Sequence, residues 1–193
     1  MSELFDIACN FSSNRYDNDL HEVIKNAKNN NVTKFLVVSA SINDVDKIYS
    51  IYQKYKSDCF FTIGTHPHHA NEINSDSIKK MRILVQDLKP SSIGETGLDF
   101  FRNLSTLEEQ IFAFEEQIKL SIEFNKPLFL HQRDAHNEFI KIIMKYKNDI
   151  NKAVVHCFTG TQKQLDTYLN LGFCIGLTGW ICDERRNVEL RKS

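Results

Sequence analysis

Short apolar runs rich in β-branched and aromatic residues alternate with longer amphipathic stretches along almost the whole chain. Strands that alternate with helices pair in parallel, and the crossovers between them are right-handed. Seven predicted strands with a helix between successive strands fit either a doubly wound sheet or a (β/α)8 barrel. The predicted strands are Leu4–Phe11, Thr33–Ala40, Cys59–Thr65, Ser92–Glu95, Pro127–His131, Ala153–Phe158 and Phe173–Leu177, and the predicted helices are Asn18–Asn30, Asn43–Lys56, Ser75–Leu88, Thr106–Phe124, Ala135–Lys147 and Thr161–Leu171.

The length of 193 residues predicts a single domain over residues 1–193. Because a (β/α)8 barrel usually has ~250 residues, we expect an α/β fold of the TIM-barrel type that is short by about one βα unit. Hydrophobic residues make up 41% of the chain, which is typical of a protein that folds around one core.

The 24 basic and 25 acidic residues leave a net charge of -1. This balance excludes a strongly basic nucleic-acid coat protein, so any nucleic-acid contact must be local.

Membrane and export signals are not found in this sequence. No stretch approaches the ~18–20 consecutive apolar residues of a membrane-spanning helix, and the first ten residues do not resemble a secretory signal. The cysteines are odd in number and lack C-x-x-C spacing, which favours reduced, buried thiols over disulfides or a structural zinc site. We therefore expect a cytoplasmic protein that contacts no membrane. The cysteines are Cys9, Cys59, Cys157, Cys174 and Cys182.

Polar and ionisable residues follow four successive predicted strands at their carboxyl ends. In parallel α/β folds these ends lie at one edge of the sheet, where the loops converge to form a site. We therefore expect these side chains, although distant in sequence, to meet in space. The four segments are Gly64-Thr65-His66-Pro67-His68-His69, Gly94-Glu95-Thr96-Gly97-Leu98-Asp99, Leu130-His131-Gln132-Arg133-Asp134 and Val155-His156-Cys157-Phe158-Thr159-Gly160.

Histidines that converge with a carboxylate predict a divalent metal. Imidazole nitrogen and carboxylate oxygen suit Zn, Mn, Fe or Co, whereas Mg is normally held by oxygen and water. Such an ion lowers the pKa of a bound water and neutralises charge on a substrate. Any one of these histidines alone is more simply explained as a polar strand end with ordinary hydrogen bonds. The recurrence at four successive strands favours a site.

Residues around these segments have less specific interpretations. His21 lies among apolar residues of the first predicted helix and is expected to be solvated or packed there. His136 and His69 follow the strand ends and either line the rim of the site or are simply solvated. Trp180 either stacks on a base or packs over the barrel mouth.

Arginine is concentrated in the segments that follow predicted strands. Four of the seven arginines lie there, while the lysines populate the helices. A planar guanidinium matches two phosphate oxygens at once, so arginines around a metal favour a phosphate-bearing substrate. The alternative is that these are loop charges paired with neighbouring acidic residues. The four arginines are Arg102, Arg133, Arg185 and Arg186.

In order and spacing, four of these segments resemble the motifs of the TatD-type metal-dependent hydrolases, a family of the TIM-barrel metallohydrolase group. The resemblance extends from Phe5 to the last residue, and the run Gly176–Arg186 resembles the exonuclease branch of the family. The segments are Gly64–His68, Gly94–Asp99, His131–Asp134 and His156–Gly160. The resemblance implies a (β/α)8 barrel that hydrolyses phosphodiester bonds with divalent cations.

Several metal-ligand roles follow from the resemblance. It implies that Glu95 is a metal ligand and a catalytic residue that bridges two ions where two are bound. His131 and His156 would each complete a coordination shell. Asp99 would either orient these ligands or order the loop that follows its strand. The implied cofactor is Mg²⁺, whereas the histidine ligands by themselves favour Zn²⁺ or Mn²⁺.

Substrate contacts also follow from the resemblance. His66 would be catalytic, because it would face the substrate phosphate or assist proton transfer. His68 would face the same phosphate, and Arg133 and Arg185 would contact the substrate and stabilise its developing charge. The implied activity is 3′ to 5′ hydrolysis of single-stranded DNA and RNA ends by a monomer, with a role in DNA repair.

Two features depart from the family pattern. Many members carry a His-x-His pair at the end of the first strand, where this chain has Ala8 and Asn10. The exonuclease branch has a similar substitution, which nevertheless puts a fully occupied two-metal site in doubt. Members also continue through an eighth strand with a Thr-Asp-Ala-Pro-like motif, whereas this sequence stops at Ser193. We expect either a fragment or an incomplete barrel with impaired activity.

Two other classes of function remain open from the sequence. The same metal scaffold could hydrolyse another bond, such as the ester of a mischarged aminoacyl-tRNA or a cyclic amide, since fold alone does not specify the substrate. Outside the enzymes, the chain could be an inactive truncated barrel that binds metal or nucleic acid, or a remnant of reduced stability with no activity.

Overall fold

The computed structural model describes residues 3–184 and residue 191. The strands are β1 Leu4–Cys9, β2 Val32–Val37, β3 Cys59–Ile63, β4 Ser92–Asp99, β5 Leu128–Arg133, β6 Ala153–Val155 and β7 Cys174–Ile175. The helices are α1 Leu20–Asn29, α2 Val45–Lys54, α3 Ser75–Leu88, α4 Leu107–Glu123, α5 His136–Tyr146 and α6 Gln162–Asn170. Each predicted element is therefore present, and the predicted boundaries differ by a few residues.

The strands form one parallel sheet whose spatial order follows the chain from β1 to β7. A doubly wound sheet reverses its strand order at a switch point, and no such reversal occurs here. The structure therefore confirms the α/β fold of the TIM-barrel type over the doubly wound alternative. Within the described residues the sheet is curled, and no hydrogen-bonded pairing of β1 with β7 closes it.

Two apolar clusters lie on the two faces of this sheet. Leu128 and Leu130 of β5 belong to the larger cluster, which the helices cover. Phe129, between them, belongs to a small cluster with Leu36 and Val38 on the other face. This alternation is the period of two that a strand requires. His131, the next position in phase with Phe129, therefore faces the interior of the curled sheet.

The fourth strand is longer than predicted and contains an irregularity. The sequence predicts that it ends at Glu95, but pairing with β5 continues to Asp99 opposite Arg133. The register shifts between Gly94 and Thr96, which marks a bulge. A bulge reverses the facing of the residues beyond it. Glu95 therefore shares the interior face with His131, although Ile93 faces the helices.

The cysteines fulfil the prediction only in part. All five are free, and burial raises the pKa of the Cys9 and Cys59 thiols, the latter to about 11. Cys174 and Cys182, however, are exposed, so the expectation of buried thiols is wrong for these two. Cys174 lies in β7, and Cys182 ends the 3-10 helix Gly179–Cys182 that follows it. In the part of the chain described, no helix has the length and apolar character to span a bilayer.

Gly97 allows β4 to approach β5 closely beside His131. Its φ is +141°, and a Cβ at this position would collide with the carbonyl oxygen of His131. We expect Gly97→Ala to cost at least about 2 kcal/mol of unfolding free energy, from backbone strain and overpacking. For a chain of this size that lowers Tm by about 4–8 °C, measurable by calorimetry. Gly179→Ala is the control, because a Cβ there meets no atom within 4 Å. Equal Tm values for the two variants would contradict this account.

Candidate active site

Glu95 lies at the centre of a cluster of histidines at the carboxyl edge of the sheet. One of its carboxylate oxygens, Oε1, is 2.5 Å from Nε2 of His156, 3.0 Å from Nδ1 of His131 and 3.3 Å from Nε2 of His66. The four side chains come from the ends of β3, β4, β5 and β6. The predicted convergence of these segments is therefore confirmed for all four residues.

The Glu95 carboxylate remains ionised although it is buried. Burial by itself would raise the pKa of Glu95. The charge interaction with His156 and the hydrogen bonds from His131, His156 and His66 instead hold that pKa well below its ordinary value. The site therefore contains a fixed negative charge, which only a cationic partner compensates in such surroundings.

Asp99 is a second buried carboxylate, four residues further along β4. Its Oδ1 accepts hydrogen bonds from the backbone N–H groups of Phe101 and Arg102, and its Oδ2 lies 2.8 Å from Nε2 of His68 and 3.4 Å from Nε2 of His131. Burial opposes ionisation, but His131, the Arg102 N–H and His68 hold the pKa of Asp99 below its usual value. Asp99 thus orients two histidines of the cluster.

The protonation of His66 is determined by its backbone contact. Its Nδ1 accepts a hydrogen bond of 3.1 Å from the backbone N–H of His68, at the start of the 3-10 segment Pro67–Glu72. Burial also lowers the pKa of His66, which keeps the ring neutral at pH 7. A neutral imidazole whose Nδ1 accepts must carry its proton on Nε2. His66 therefore presents an N–H donor to the centre of the site.

The described residues fit a divalent cation. His66, Glu95 and His131 each offer one ligand atom, and these atoms lie within 4.8 Å of one another. Although burial disfavours its charge, the carboxylates of Asp99 and Glu95 raise the pKa of His131 to about 9. A cation held by these residues would compensate the same carboxylates and would take the place of the proton on His131. The Nδ1 of His131 faces Glu95 while its Nε2 faces Asp99, the arrangement by which a carboxylate orients a metal-binding histidine.

A pocket of about 940 Å³ opens beside this cluster. His131 and His156 of the cluster line it, together with Arg133 and Trp180. The Arg133 guanidinium lies 3.9 Å above the ring of Phe101, whose side chain is 59% exposed. This stacking holds the guanidinium at the mouth of the pocket.

The remaining predicted site residues have different outcomes. His68 lies against the cluster, with ring centroids 4.1 Å from His66, and its Nε2 is used by Asp99. Arg185, predicted to contact substrate, lies outside the described residues, as does Arg186. His21 stacks on Tyr55, away from the site, as the helical interpretation predicts.

Two buried glutamines of α4 support the site and were not predicted. Gln117 accepts from the N–H of Thr65 and donates to its C=O, and Gln110 does the same at Asp99. They therefore hold the backbone where β3 and β4 end, beside His66 and Asp99. Their spacing of seven residues puts them on one helix face, but only their burial distinguishes them from surface glutamines.

A parallel α/β sheet of the barrel type that gathers histidines around a carboxylate at its carboxyl edge is the architecture of the metal-dependent hydrolases. The model of the family described as TatD related DNase matches residues 5–193. The chain belongs to this family.

Similar proteins agree with this assignment. The 3'-5' ssDNA/RNA exonuclease TatD of Erwinia billingiae (strain Eb661) is 40% identical over 189 residues, which are 98% of this chain and 72% of that protein. The crystal structure of a TatD family hydrolase from Entamoeba histolytica has a TM-score of 0.84 at 28% identity, covering 92% of this chain and 65% of that chain. A TatD homologue from Escherichia coli K12, at 24% identity and a TM-score of 0.85, has the same fold over 92% of this chain and 69% of its own length.

The glutamine contacts generate a stability prediction. Gln110→Leu leaves the N–H and C=O of Asp99 and the C=O of Ser105 without their partner. Because each unpaired buried group costs about 1–3 kcal/mol, we expect the three groups together to lower the free energy of unfolding by at least about 3 kcal/mol in urea denaturation. Gln53→Leu, at an exposed position of α2, is the control and should change stability by less than about 0.5 kcal/mol. Similar losses in both variants would show that the buried contacts contribute little.

Proposed function

We propose that the chain is a metal-dependent exonuclease that removes nucleotides from the 3′ end of single-stranded DNA and RNA. The observation that carries the proposal is the ionised Glu95 carboxylate, which three imidazoles contact. Two of these imidazoles, His131 and His156, line a pocket. Such a centre suits hydrolysis of an ester of phosphoric acid, because the ion compensates both the buried carboxylate and the phosphate charge. The relatives named as 3'-5' exonucleases support the polarity and the substrate class.

The proposed ligands are Glu95, His131 and His156. When bound, the cation polarises the scissile phosphate and lowers the pKa of a water molecule. Glu95 supplies the negative charge that retains the ion, and Asp99 orients His131 through its other ring nitrogen. The group of candidate ligand atoms that lie close together contains His66, Glu95 and His131. We assign His66 to the substrate and not to the ion, because the backbone N–H of His68 occupies its Nδ1 and fixes the proton on Nε2.

The proposed catalytic role of His66 follows from this tautomer. Its Nε2–H donates to a phosphate oxygen, or passes the proton to the leaving group, without a change in the position of the ring. His68 has its Nε2 engaged by Asp99, so the ring contacts the phosphate only through Nδ1. Together the two histidines would orient the phosphate that is cleaved.

Arg133 is the proposed contact to the next phosphate. Its planar guanidinium matches two phosphate oxygens, while stacking on Phe101 limits its movement. Arg185 is proposed as a further contact to the substrate. A pocket of about 940 Å³ has the size of a site for one or two nucleotides, which suits a strand end better than a duplex.

The cofactor, location and assembly are also proposals. We propose Mg²⁺ as the physiological ion, with Mn²⁺ or Zn²⁺ able to replace it because two of the ligands are imidazoles. Five free cysteines suit a reducing compartment, which supports the cytoplasm. We propose that the protein acts as a monomer in DNA repair, where single-stranded ends are trimmed.

A substrate panel tests the function. Purified chain is treated with a chelator, reloaded with Mg²⁺, Mn²⁺ or Zn²⁺, and mixed with single strands labelled at the 5′ or the 3′ end. Stepwise shortening from the 3′ end that requires the metal supports the proposal. Hydrolysis of an aminoacyl-tRNA ester without cleavage of the strand would replace it, and no metal-dependent turnover on either substrate would favour the inactive remnant.

Glu95→Gln tests the metal centre, since it preserves the size of the side chain and removes its charge. We expect nucleotide release to fall by at least about 100-fold and metal affinity, measured by calorimetry, to fall by about 10-fold or more. The control is His21→Gln, which changes a histidine outside the site. Turnover that survives Glu95→Gln would exclude Glu95 as a ligand.

Arg133→Ala tests the phosphate contact. Removing one phosphate contact to a single strand lowers the slope of log K against log salt by about 0.7. We expect this smaller slope together with weaker oligonucleotide binding at low salt. Arg82→Ala is the matched control, because Arg82 pairs with Glu123 on the surface of the helices. An unchanged slope for Arg133→Ala would remove Arg133 from the phosphate path.

A further inference from the structure

A third histidine, His136, lines the pocket beside His131 and His156 without belonging to the ligand cluster. His136 is the first residue of α5, it is half-buried, and its Nδ1 is 2.9 Å from the hydroxyl of Tyr168. Tyr168 lies on α6 and is completely buried. Neither residue is among the candidate metal ligands.

The Tyr168 ring is fixed by its surroundings. It packs edge-on against Phe139 and Phe158, with ring centroids about 6 Å apart, and against His136 at 5.4 Å. Three rings therefore limit its rotation, and its hydroxyl points to one nitrogen of His136. Burial raises the pKa of Tyr168, so the hydroxyl keeps its proton.

The hydroxyl determines the tautomer of His136. Among the described residues the hydroxyl has only the His136 ring as a hydrogen-bond partner. If His136 donated from Nδ1, the buried phenolic proton would have no acceptor, which is costly. The hydroxyl therefore donates to Nδ1, and the imidazole carries its own proton on Nε2. Burial, aided by the charge of Lys163, lowers the pKa of His136 and keeps the ring uncharged.

The backbone connects this pair to the proposed phosphate contact. Gln132 and Arg133 are consecutive at the end of β5. In the orientation that satisfies its amide, the side-chain oxygen of Gln132 accepts from the N–H groups of Ala135 and His136. Arg133, the last residue of β5, and His136, the first residue of α5, therefore flank one short loop and line the same pocket.

We propose that His136, oriented by Tyr168, is a nucleotide-binding residue that donates from Nε2 to an uncharged acceptor of the bound nucleotide, such as a base carbonyl, a ring nitrogen or a sugar oxygen. The inference rests on the proposed function, since it requires an unpaired strand in the pocket. Tyr168 is a positioning residue, because it acts through His136. The charge of the neighbouring phosphate is met by Arg133, so a neutral donor is suited to the remaining polar groups of the nucleotide.

The experiment measures binding and kinetics separately. Binding of a fluorescein-labelled single-stranded oligonucleotide is followed by anisotropy at several salt concentrations in the full chain carrying Glu95→Gln, which is expected to prevent turnover. The variants are His136→Phe, which keeps a ring without N–H groups, Tyr168→Phe, which removes only the hydroxyl, and both together. Arg133→Ala is the comparison, and thermal melting checks that each variant is folded.

A neutral donor predicts a particular pattern. His136→Phe should weaken binding by about 3- to 10-fold, the usual effect of one hydrogen bond, and leave the salt slope unchanged. Tyr168→Phe should weaken it less, and the double variant should bind like His136→Phe, because Tyr168 acts only through that ring. With Glu95 restored, KM for the strand should rise by a similar factor while kcat changes little.

Several outcomes would overturn the inference. A smaller salt slope in His136→Phe would mean a charged contact to phosphate, and additive losses in the double variant would mean that Tyr168 acts by packing alone. Unchanged binding and KM in His136→Phe would remove the residue from the substrate path while leaving the exonuclease proposal intact. If the chain with Glu95 neither shortens nor binds a single strand, the proposed function and this inference fail together.

Discussion

The charge of one buried carboxylate determines how the rest of the site is organised. Glu95 is ionised inside the sheet edge only because three imidazoles surround a single oxygen of its side chain. Each of these rings comes from a different strand, so the four strand ends must meet for the charge to be tolerated. The same negative charge that is costly to bury is what makes the cluster suitable for a divalent cation.

The sheet places these groups through its register and its irregularity. His131 faces the interior because it is in phase with Phe129, and the bulge at Gly94 brings Glu95 to the same face. Gly97 then allows the two strands to remain paired beside the cluster. The buried glutamines of α4 hold the backbone at the ends of β3 and β4, so the outer helix layer also contributes to the geometry of the site.

The tautomers of His66 and His136 follow from local contacts, and this gives the two histidines different roles from the ligands. His66 accepts a backbone N–H at Nδ1, and His136 accepts a buried hydroxyl at the same atom. Each ring therefore carries its proton on Nε2, at the centre of the cluster for His66 and on a pocket-lining residue for His136. Glu95 and Arg133 supply the charges of the site, and the Nε2–H groups of His66 and His136 supply uncharged hydrogen-bond donors. That combination suits a polyanion whose phosphates and nucleosides must both be positioned.

The sequence by itself determined the alternation of strands and helices, the parallel sheet and the four polar strand ends, because periodicity and residue type are local properties. Tertiary structure alone decided that Glu95 shares a face with His131, since strict alternation after Ile93 would direct it toward the helices. It also decided the partners of His136 and Gln110, because Tyr168 and Asp99 become their neighbours only when the helices pack on the sheet. Strand register and helix packing depend on contacts between distant residues, and no pattern within one segment contains them.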